Sequence, residues 1–274
     1  MESGLLIYLA ALSVLFFSVL HPCQSREPPS AGDPEEWAFS YIEGSPEGPQ
    51  RWGDLRQEWA TCKTGTMQSP LNLRRGEAKV QPTLGPLAPS YGASVAHIVN
   101  TGRSIMLRWE GSPGSITIGG TEFKLQQCHW HSPTEHSFDG TRFDAELHLV
   151  HESKEKRRAV VAVLYKIGAQ SNALLSTLTD AIRSVSNTTQ REAVVGAVDP
   201  SIAEIDGTKP YFRYMGSLTT PPCTEGVTWT VFTEVSTISS EQVSLITSAL
   251  DQGAQRNARP IQPTNGRDVF LFQA

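Results

Sequence analysis

Two stretches of this chain decide its fold and its chemistry: Gln127-Cys-His-Trp-His131 and, after a turn at Asp139-Gly140, Glu146-Leu-His-Leu-Val-His151. Successive side chains of a β-strand point to opposite faces, so His129 and His131 share one face. In the second stretch His148 shares a face with Glu146, whereas His151 points the other way. The alternation therefore predicts that three histidines meet on one face of a strand pair.

Three imidazoles on one face are typical of a catalytic zinc site, in which three protein ligands leave the fourth tetrahedral position to water. Two alternating histidines in a strand are more often incidental than ligating. The flanking Gln127, Glu135 and Glu146 strengthen the metal hypothesis, because polar groups in a half-buried strand pair need partners. A ligating imidazole also needs its other N–H held by such a group. The spacing by itself predicts a metal site and nothing more specific.

Composition sets the class of protein. The chain has 274 residues, 39% of them apolar, and a formal net charge of −5. These values allow a sizeable core and exclude both global disorder and the basic surface of a nucleic-acid-binding protein. The 22 glycines and 18 prolines favour a protein of strands and turns over a helix bundle.

Local patterns predict one mostly-β domain, of the α+β class, with a few peripheral helices. Strands are predicted for Ser104–Trp109, Ser115–Ile118, Phe123–His131, Phe143–His151 and Ala159–Ile167. Helical periodicity covers Ala173–Val185, and also Glu241–Leu250, which follows a Ser239-x-x-Gln242 capping box. No linker-like stretch interrupts residues 37–274.

The beginning of the chain predicts secretion. An apolar run from Leu5 to Leu20 precedes small residues that end at Ser25, as in a signal peptide covering residues 1–25. A membrane anchor would need a longer span. Residues 26–36 are rich in proline, glycine and acidic residues and are predicted to form a flexible arm. We expect an extracellular (apoplastic) protein with no stable membrane anchor. A plastid reached through the secretory route is the alternative.

Removal of the predicted signal peptide leaves three cysteines, an odd number for an oxidising compartment. Their spacing does not say which two pair, and the sequence has no CxxC motif of a structural zinc site. Asn187 begins the one N-glycosylation sequon and is a candidate glycosylation site.

The ordered motifs of this chain resemble those of the α-class carbonic anhydrases. They run from about residue 39 to 272, nearly the whole mature chain, and the ordered set is highly specific. The matching stretches are Trp52-Gly-Asp, Gln68-Ser-Pro70, His129-Trp-His131-Ser-Pro-Thr-Glu135-His136, Ala145-Glu-Leu-His148-Leu-Val-His151, Gly216-Ser-Leu-Thr219-Thr-Pro-Pro222, Val227-Thr-Trp229 and Asn257-Ala-Arg-Pro260. Tyr41-Ile-Glu-Gly and Pro221-Pro-Cys-Thr-Glu225 further resemble the plant branch, which includes dioscorins and nectarins.

The resemblance implies a large, mainly antiparallel central sheet of about ten strands, with Zn²⁺ at the base of a conical cleft. It implies the reversible hydration of carbon dioxide to bicarbonate and a proton by a carbonate dehydratase, a zinc lyase. The implied zinc ligands are His129, His131 and His148, with Gln127 and Glu146 as their hydrogen-bond partners. Thr219 would orient zinc-bound hydroxide through a hydrogen bond passed to Glu135. The implied substrate pocket comprises Val150, Val160, Leu218, Thr220 and Trp229.

Further implications of the resemblance concern the cysteines and the proton. Cys62 and Cys223 match the positions that form a disulfide bond in plant relatives, which leaves Cys128 as a buried thiol. Arg103 occupies the position at which fast family members carry a proton-shuttling histidine. An arginine stays protonated and cannot shuttle, so Arg103 would instead attract bicarbonate or raise the local potential.

Two other classes of function stay open on the sequence. A storage or binding protein like the dioscorins could keep the fold and lose the hydration activity, although all three histidines, Glu135 and Thr219 are present here. A metal-free hydrolase is disfavoured, because the sequence has no GxSxG nucleophile elbow. The expected partner is a small molecule, carbon dioxide or bicarbonate, and the chain is expected to be a monomer or a dimer.

Overall fold

The computed structural model describes residues 39–186, 188–189 and 191–273. The predicted signal peptide, the predicted arm and Asn187 lie outside the described residues. Within those ranges the chain forms fourteen strands: β1 Asn72–Leu73, β2 Lys79–Val80, β3 Pro89–Tyr91, β4 Ser94–Asn100, β5 Ile105–Trp109, β6 Gly114–Ile118, β7 Thr121–His131, β8 Ser137–Phe138, β9 Ala145–Glu152, β10 Arg158–Ile167, β11 Arg191–Val198, β12 Tyr211–Ser217, β13 Glu225–Ile238 and β14 Phe270–Phe272.

The α-helices in the described part of the chain are few and lie outside the sheet. They are α1 Trp52–Leu55, α2 Thr61–Thr64, α3 Ala173–Val185 and α4 Ser240–Ser248. The predicted bounds of α3 are confirmed, and so is the capping box that begins α4. Helix α4 ends at Ser248, earlier than the predicted end at Leu250. None of the helices described here is long and apolar enough to cross a membrane.

One large sheet organises the described residues. Ten strands follow the order β11-β4-β5-β7-β9-β10-β13-β12-β14-β2, and β3 and β6 join it beside β7. The sheet is mixed: β10 with β13 and β14 with β2 are parallel pairs, and the other pairings are antiparallel. The expectation of a mostly-β fold with a mainly antiparallel sheet is therefore confirmed.

The central strand β10 shows why the sheet is buried on both faces. Its side chains from Ala159 to Tyr165 are all buried. Alternate residues enter two separate apolar clusters, with Val161 in one and Val160 in the other. A continuous apolar run such as this is typical of a strand covered on both sides and paired in parallel with a neighbour.

Helix α3 covers one of these clusters. Its apolar stripe of Leu174, Leu175, Leu178, Ile182 and Val185 is fully buried. Full burial of a leucine or isoleucine side chain stabilises the folded state by about 1.5 to 3 kcal/mol. The stripe therefore holds α3 firmly against the sheet.

A single side chain of β4 joins both longer helices to the sheet. The amide of Asn100 is fully buried and donates to the carbonyl of Val185, 3.1 Å away, and to the carbonyl of Ala249, 2.7 Å away. These carbonyls end α3 and α4, where helices leave C=O groups without internal partners. Asn100 therefore satisfies the ends of two helices at once.

We predict that Asn100→Ala lowers the free energy of unfolding by about 2 to 4 kcal/mol, because two buried carbonyls lose their donor. Urea unfolding followed by circular dichroism measures the change. Ser184→Ala, on the exposed side of α3, is the control and is expected to change stability by less than about 0.5 kcal/mol. Equal stability of the two variants would contradict the role given to Asn100.

Candidate metal centre

The pairing of β7 with β9 brings the predicted histidines together. His129 lies directly opposite His148, and His131 lies opposite Glu146. The three imidazole rings are 4.7 to 5.3 Å apart between centroids. Their potential ligand atoms all lie within 4.8 Å of one another. The alternation predicted this convergence, and the structure contains it.

A β-bulge sets the parity of β7. The register between β7 and β9 shifts after Leu125, so Leu125 opposes His151 while Gln127 opposes Val150. Leu125 packs in the same apolar cluster as Cys128, whereas Gln127 faces the histidines. Without the extra residue, Leu125 and Gln127 would point to the same side. The bulge therefore lets Leu125 pack in the core while Gln127, two residues later, faces the histidines.

Each imidazole is held through the nitrogen that faces away from the cluster. His129 Nδ1 is 2.8 Å from Gln127 Oε1, and His148 Nε2 is 2.8 Å from Glu146 Oε1. Both partners are acceptors, so these nitrogens carry the protons and donate. The remaining nitrogens, His129 Nε2 and His148 Nδ1, therefore present lone pairs to the shared centre. The structure thus places Gln127 and Glu146 where they were predicted.

The third imidazole is oriented by a residue that the sequence did not single out for this role. His131 Nδ1 donates to the carbonyl of Asn257 over 2.7 Å, which leaves the lone pair on Nε2. The Asn257 side chain is itself fixed, because its oxygen accepts from the Ser132 N–H and its amide donates to the Trp130 carbonyl. The only sequence evidence was the motif Asn257-Ala-Arg-Pro260, whose main-chain role cannot be deduced from residue type.

Burial favours the neutral form of His129 and His131. Desolvation, followed by the neighbouring histidines, holds the pKa of His129 well below its usual value. Desolvation also lowers the pKa of His131, against an opposing effect of Glu135. Neutral imidazoles are the form that binds a metal ion. The site is therefore prepared to coordinate at neutral pH.

Glu146 anchors a chain of buried hydrogen bonds. It accepts from the His136 N–H and from His136 Nδ1 as well as from His148. On its other side, His136 Nε2 is 2.7 Å from the hydroxyl of Tyr214. Burial alone would raise the pKa of Glu146, but His136 and His148 hold it well below its usual value. Both nitrogens of His136 are occupied, so His136 acts here as a structural residue.

Two buried atoms show whether these residues fit a metal ion. His131 Nε2 and Glu135 Oε2 are buried without hydrogen-bond partners among the described residues, and they lie 3.6 Å apart. Both atoms are electron-pair donors, because the proton of His131 is on Nδ1. Two such atoms facing each other in the interior require a cation or a proton between them. Three neutral imidazoles are a donor set that zinc prefers, so these residues fit a zinc ion.

Glu135 is placed differently from the predicted relay. Its Oε1 accepts from the Arg259 N–H over 2.8 Å, and its Oε2 is turned towards the ring nitrogens of His131 and His148. No hydrogen bond joins Thr219 to Glu135 among the described residues, and the relay through Glu135 stays a prediction. Thr219 nevertheless lines the same cavity as the histidines.

The cavity beside the histidines has a volume of about 420 Å³. It brings together Gln127, the three histidines, Thr219, Arg103 and all five residues predicted for the substrate pocket. One wall is apolar because adjacent strands align their side chains, with Val150 opposite Val160 and Val160 opposite Trp229. The other lining residues, which were not predicted, are Tyr41, Ser104, Met106, Arg158, Pro221, Pro222 and Thr224.

Comparison with known proteins agrees with this geometry. The family profile of the eukaryotic-type carbonic anhydrases matches residues 47–273. This chain belongs to that family. It is 44% identical to dioscorin dioA3 of Dioscorea japonica over 273 residues, covering 100% of this chain and 97% of the relative. It is also 44% identical to alpha carbonic anhydrase 7 of Arabidopsis thaliana over 239 residues, covering 87% and 86% of the two chains.

A solved structure of the family has the same fold. The crystal structure of a dioscorin complexed with ascorbate superposes with a TM-score of 0.83 at 46% sequence identity, covering 86% of this chain and 98% of that one. The plant branch suggested by the sequence is thus confirmed. Both dioscorins and plant carbonic anhydrases are among the relatives of this carbonic anhydrase family member.

The loop from Leu218 to Thr224 lines part of the cavity, and the predicted disulfide holds it in place. Cys62 and Cys223 are bonded, and Cys128 is free and buried, as expected. The buried Arg259 guanidinium donates to the carbonyl of Cys62 and to Gln68, and the Gln68 amide donates to the carbonyl of Cys223. The disulfide and these hydrogen bonds together hold the segment that carries Thr219 and Thr220.

The remaining histidines of the described chain lie away from the cavity. The His97 ring bridges Glu110 and Glu192, at 2.8 and 2.5 Å. His151 points to the opposite face of the sheet from His148, where its Nε2 is 2.6 Å from the Tyr91 hydroxyl. Among the described residues, the cavity is therefore lined by no histidine other than the three that converge.

We predict that His148→Gln sharply reduces zinc retention, because one of three converging lone pairs is removed. His151→Gln is the control, since this histidine lies on the same strand but faces away, and it is expected to retain zinc. Both proteins are dialysed against excess zinc and then against metal-free buffer, and bound zinc is counted by atomic emission. Equal zinc content in both variants would refute the assignment.

Proposed function

We propose that this protein catalyses the zinc-dependent, reversible hydration of carbon dioxide to bicarbonate and a proton. One observation carries the proposal: the lone pairs of three imidazoles face one point, beside an apolar wall in the same cavity. Membership of the carbonic anhydrase family supports it. The apolar wall suits carbon dioxide, which has no net dipole and makes no demand for hydrogen bonds.

His129, His131 and His148 would hold the zinc ion. When bound, zinc supplies a Lewis acid that lowers the pKa of water to about 7, so that a nucleophile exists at neutral pH. The reaction also requires that this nucleophile be held in the correct orientation. The Thr219 hydroxyl and Glu135 Oε2 have no hydrogen-bond partner among the described residues. Thr219 is therefore available to accept a hydrogen bond from the attacking oxygen and to donate its own proton to the carboxylate.

The protein must also remove one proton in each turnover. A shuttle has to gain and lose a proton near neutral pH, which histidine does and arginine does not. Arg103 lines the cavity, where its Nε donates to the Phe39 carbonyl and its Nη1 lies 3.4 Å from Asp251. With no additional histidine on the described lining, we propose that buffer carries the proton.

The alternative is a storage or binding protein with little or no hydration activity. It is favoured by the similarity to dioscorins, one of which has been solved with ascorbate. Metal content and hydration rate separate the two functions. A dioscorin-like role predicts little catalysis even after zinc loading, whereas the proposed enzyme requires both zinc and turnover.

We predict that the zinc-loaded protein hydrates carbon dioxide in a stopped-flow assay and that Thr219→Ala reduces kcat/KM about 100-fold, because an orienting hydroxyl is lost. The same variant should bind aromatic sulfonamides more weakly. Thr219→Ser is the matched control: it keeps the hydroxyl and should recover most of the activity. Full zinc occupancy without hydration by the wild type would instead favour the storage function.

We predict that imidazole-type buffers increase the wild-type rate strongly and that Arg103→His raises the rate at low buffer concentration. The introduced imidazole can carry the proton that arginine cannot. Arg103→Gln separates this gain from the mere loss of arginine, since glutamine neither titrates nor carries charge. If the wild type is fast without buffer and histidine changes nothing, proton transfer follows another route.

A further inference from the structure

The charged side chains that line the cavity are positive, whereas the chain as a whole is negative. The only charged lining residues within the described part of the chain are Arg103 and Arg158. The chain as a whole has a formal net charge of −5, and no aspartate or glutamate lies on this lining. A concave surface with charges of one sign raises the local concentration of oppositely charged ligands. Arg103 is paired with Asp251 at 3.4 Å, so the attraction for anions at this lining comes mainly from Arg158.

Arg158 lies at the outer end of the cavity. It is the first residue of β10, on the same face as Val160 and Ala162. Ala162 is the residue opposite His148, four positions further along the strand. At about 3.3 Å per residue, the backbone of Arg158 lies roughly 13 Å from the level of His148. Its half-buried side chain thus stands between the histidines and solvent.

The guanidinium of Arg158 has no ion pair or hydrogen bond with any described residue, whereas the nearby carboxylates are occupied. Glu152 stands opposite Arg158 in the register, but its carboxylate accepts from Lys156 over 2.8 Å. Glu225 is engaged by the Met67 N–H and the Gln68 amide. A charged group held at a cavity wall without a partner is available to a ligand.

We propose that Arg158 recognises a carboxylate-type monoanion in the outer part of the cavity. Bicarbonate and organic carboxylates share the planar O–C–O group that a guanidinium fork binds through two parallel hydrogen bonds. Neutral carbon dioxide has no such charge and is not selected there. The inference rests on the proposed function for the identity of the ligand at the metal, but the anion site itself does not require zinc.

The first test compares two sulfonamides with the zinc-loaded protein. Benzenesulfonamide has a neutral ring, and 4-sulfamoylbenzoate adds a carboxylate directed towards the cavity mouth. We expect Arg158→Gln to weaken binding of the carboxylate compound about threefold to fivefold, in the range of a partly exposed ion pair. Binding of the neutral compound should change less than about twofold. Equal effects on both compounds would overturn the proposal.

Arg157→Gln is the matched control, because it removes the same charge one residue away. Arg157 is exposed, its guanidinium donates to the Thr121 hydroxyl over 2.8 Å, and it does not line the cavity. We expect it to leave the affinities of both sulfonamides unchanged. A loss equal to that of Arg158→Gln would show a general charge effect and would count against a site at Arg158.

The second test works with or without zinc. Phenylglyoxal modifies accessible guanidinium groups, and peptide mass spectrometry follows Arg158 and Arg157 separately. We expect benzoate and bicarbonate, tested one at a time, to slow modification of Arg158 and not of Arg157. Protection by bicarbonate would identify the product of the proposed reaction as a source of the anion. Protection by benzoate alone would identify organic acids, and protection by neither would overturn the proposal.

The two tests separate the possible failures. If neither sulfonamide binds the wild-type protein, the proposed zinc chemistry is wrong, and protection of Arg158 then decides the anion site by itself. If both sulfonamides bind but Arg158→Gln does not discriminate between them, the zinc chemistry stands and the anion site is refuted.

Discussion

The register between β7 and β9 is the constraint on which the rest of the site depends. It places His129 opposite His148 and brings His131 within reach of both. A slip of one residue would turn every side chain of one strand to the other face and separate the three imidazoles. The buried apolar residues of the opposite face, such as Cys128 and Leu149, are in the core and resist such a slip. Core packing and metal geometry are thus consequences of the same alignment.

Orientation of the imidazoles requires more than the register. Each ring has one nitrogen committed to a fixed acceptor. The acceptors of His129 and His148 lie two residues away on the same strand, and that of His131 lies in the distant segment at Asn257. Polar groups in a buried site are costly unless they are satisfied, so such a network is stable only when it is complete. His131 Nε2 and Glu135 Oε2 are buried without hydrogen-bond partners among the described residues, and a bound cation would complete the network at that position.

The segment after β12 links this network to the cavity wall. Thr219 and Thr220 precede Cys223, and the disulfide and the Arg259–Gln68 pair fasten that segment to the region around Cys62. Arg259 also donates its backbone N–H to Glu135. The same residue therefore supports both the segment that carries Thr219 and the carboxylate of Glu135. Long-range contacts of this kind explain how the loop that lines one part of the cavity keeps a defined position beside the strands that line the rest.

Much of the candidate site could be predicted from sequence because strand alternation is a local property. Parity alone separated His148 from His151, and helical periodicity with a capping box located α3 and the start of α4. The cysteine pairing was open on spacing and was implied only by family resemblance. Charge and composition correctly predicted a large apolar core. They did not predict where a functional site would lie.

Only the tertiary structure decided which distant groups meet. A main-chain carbonyl such as that of Asn257 has no signature in residue type, so its bond to His131 could not be predicted from alternation. The same holds for the turn of Glu135 Oε2 towards the histidines, for the position of His97 between two carboxylates, and for the unpartnered Arg158 on the cavity wall. The sequence by itself determined which side of each strand a residue faces, because that follows from the backbone period. Which residues face that side in the folded protein depends on contacts between segments far apart in the chain. Only folding brings such segments together.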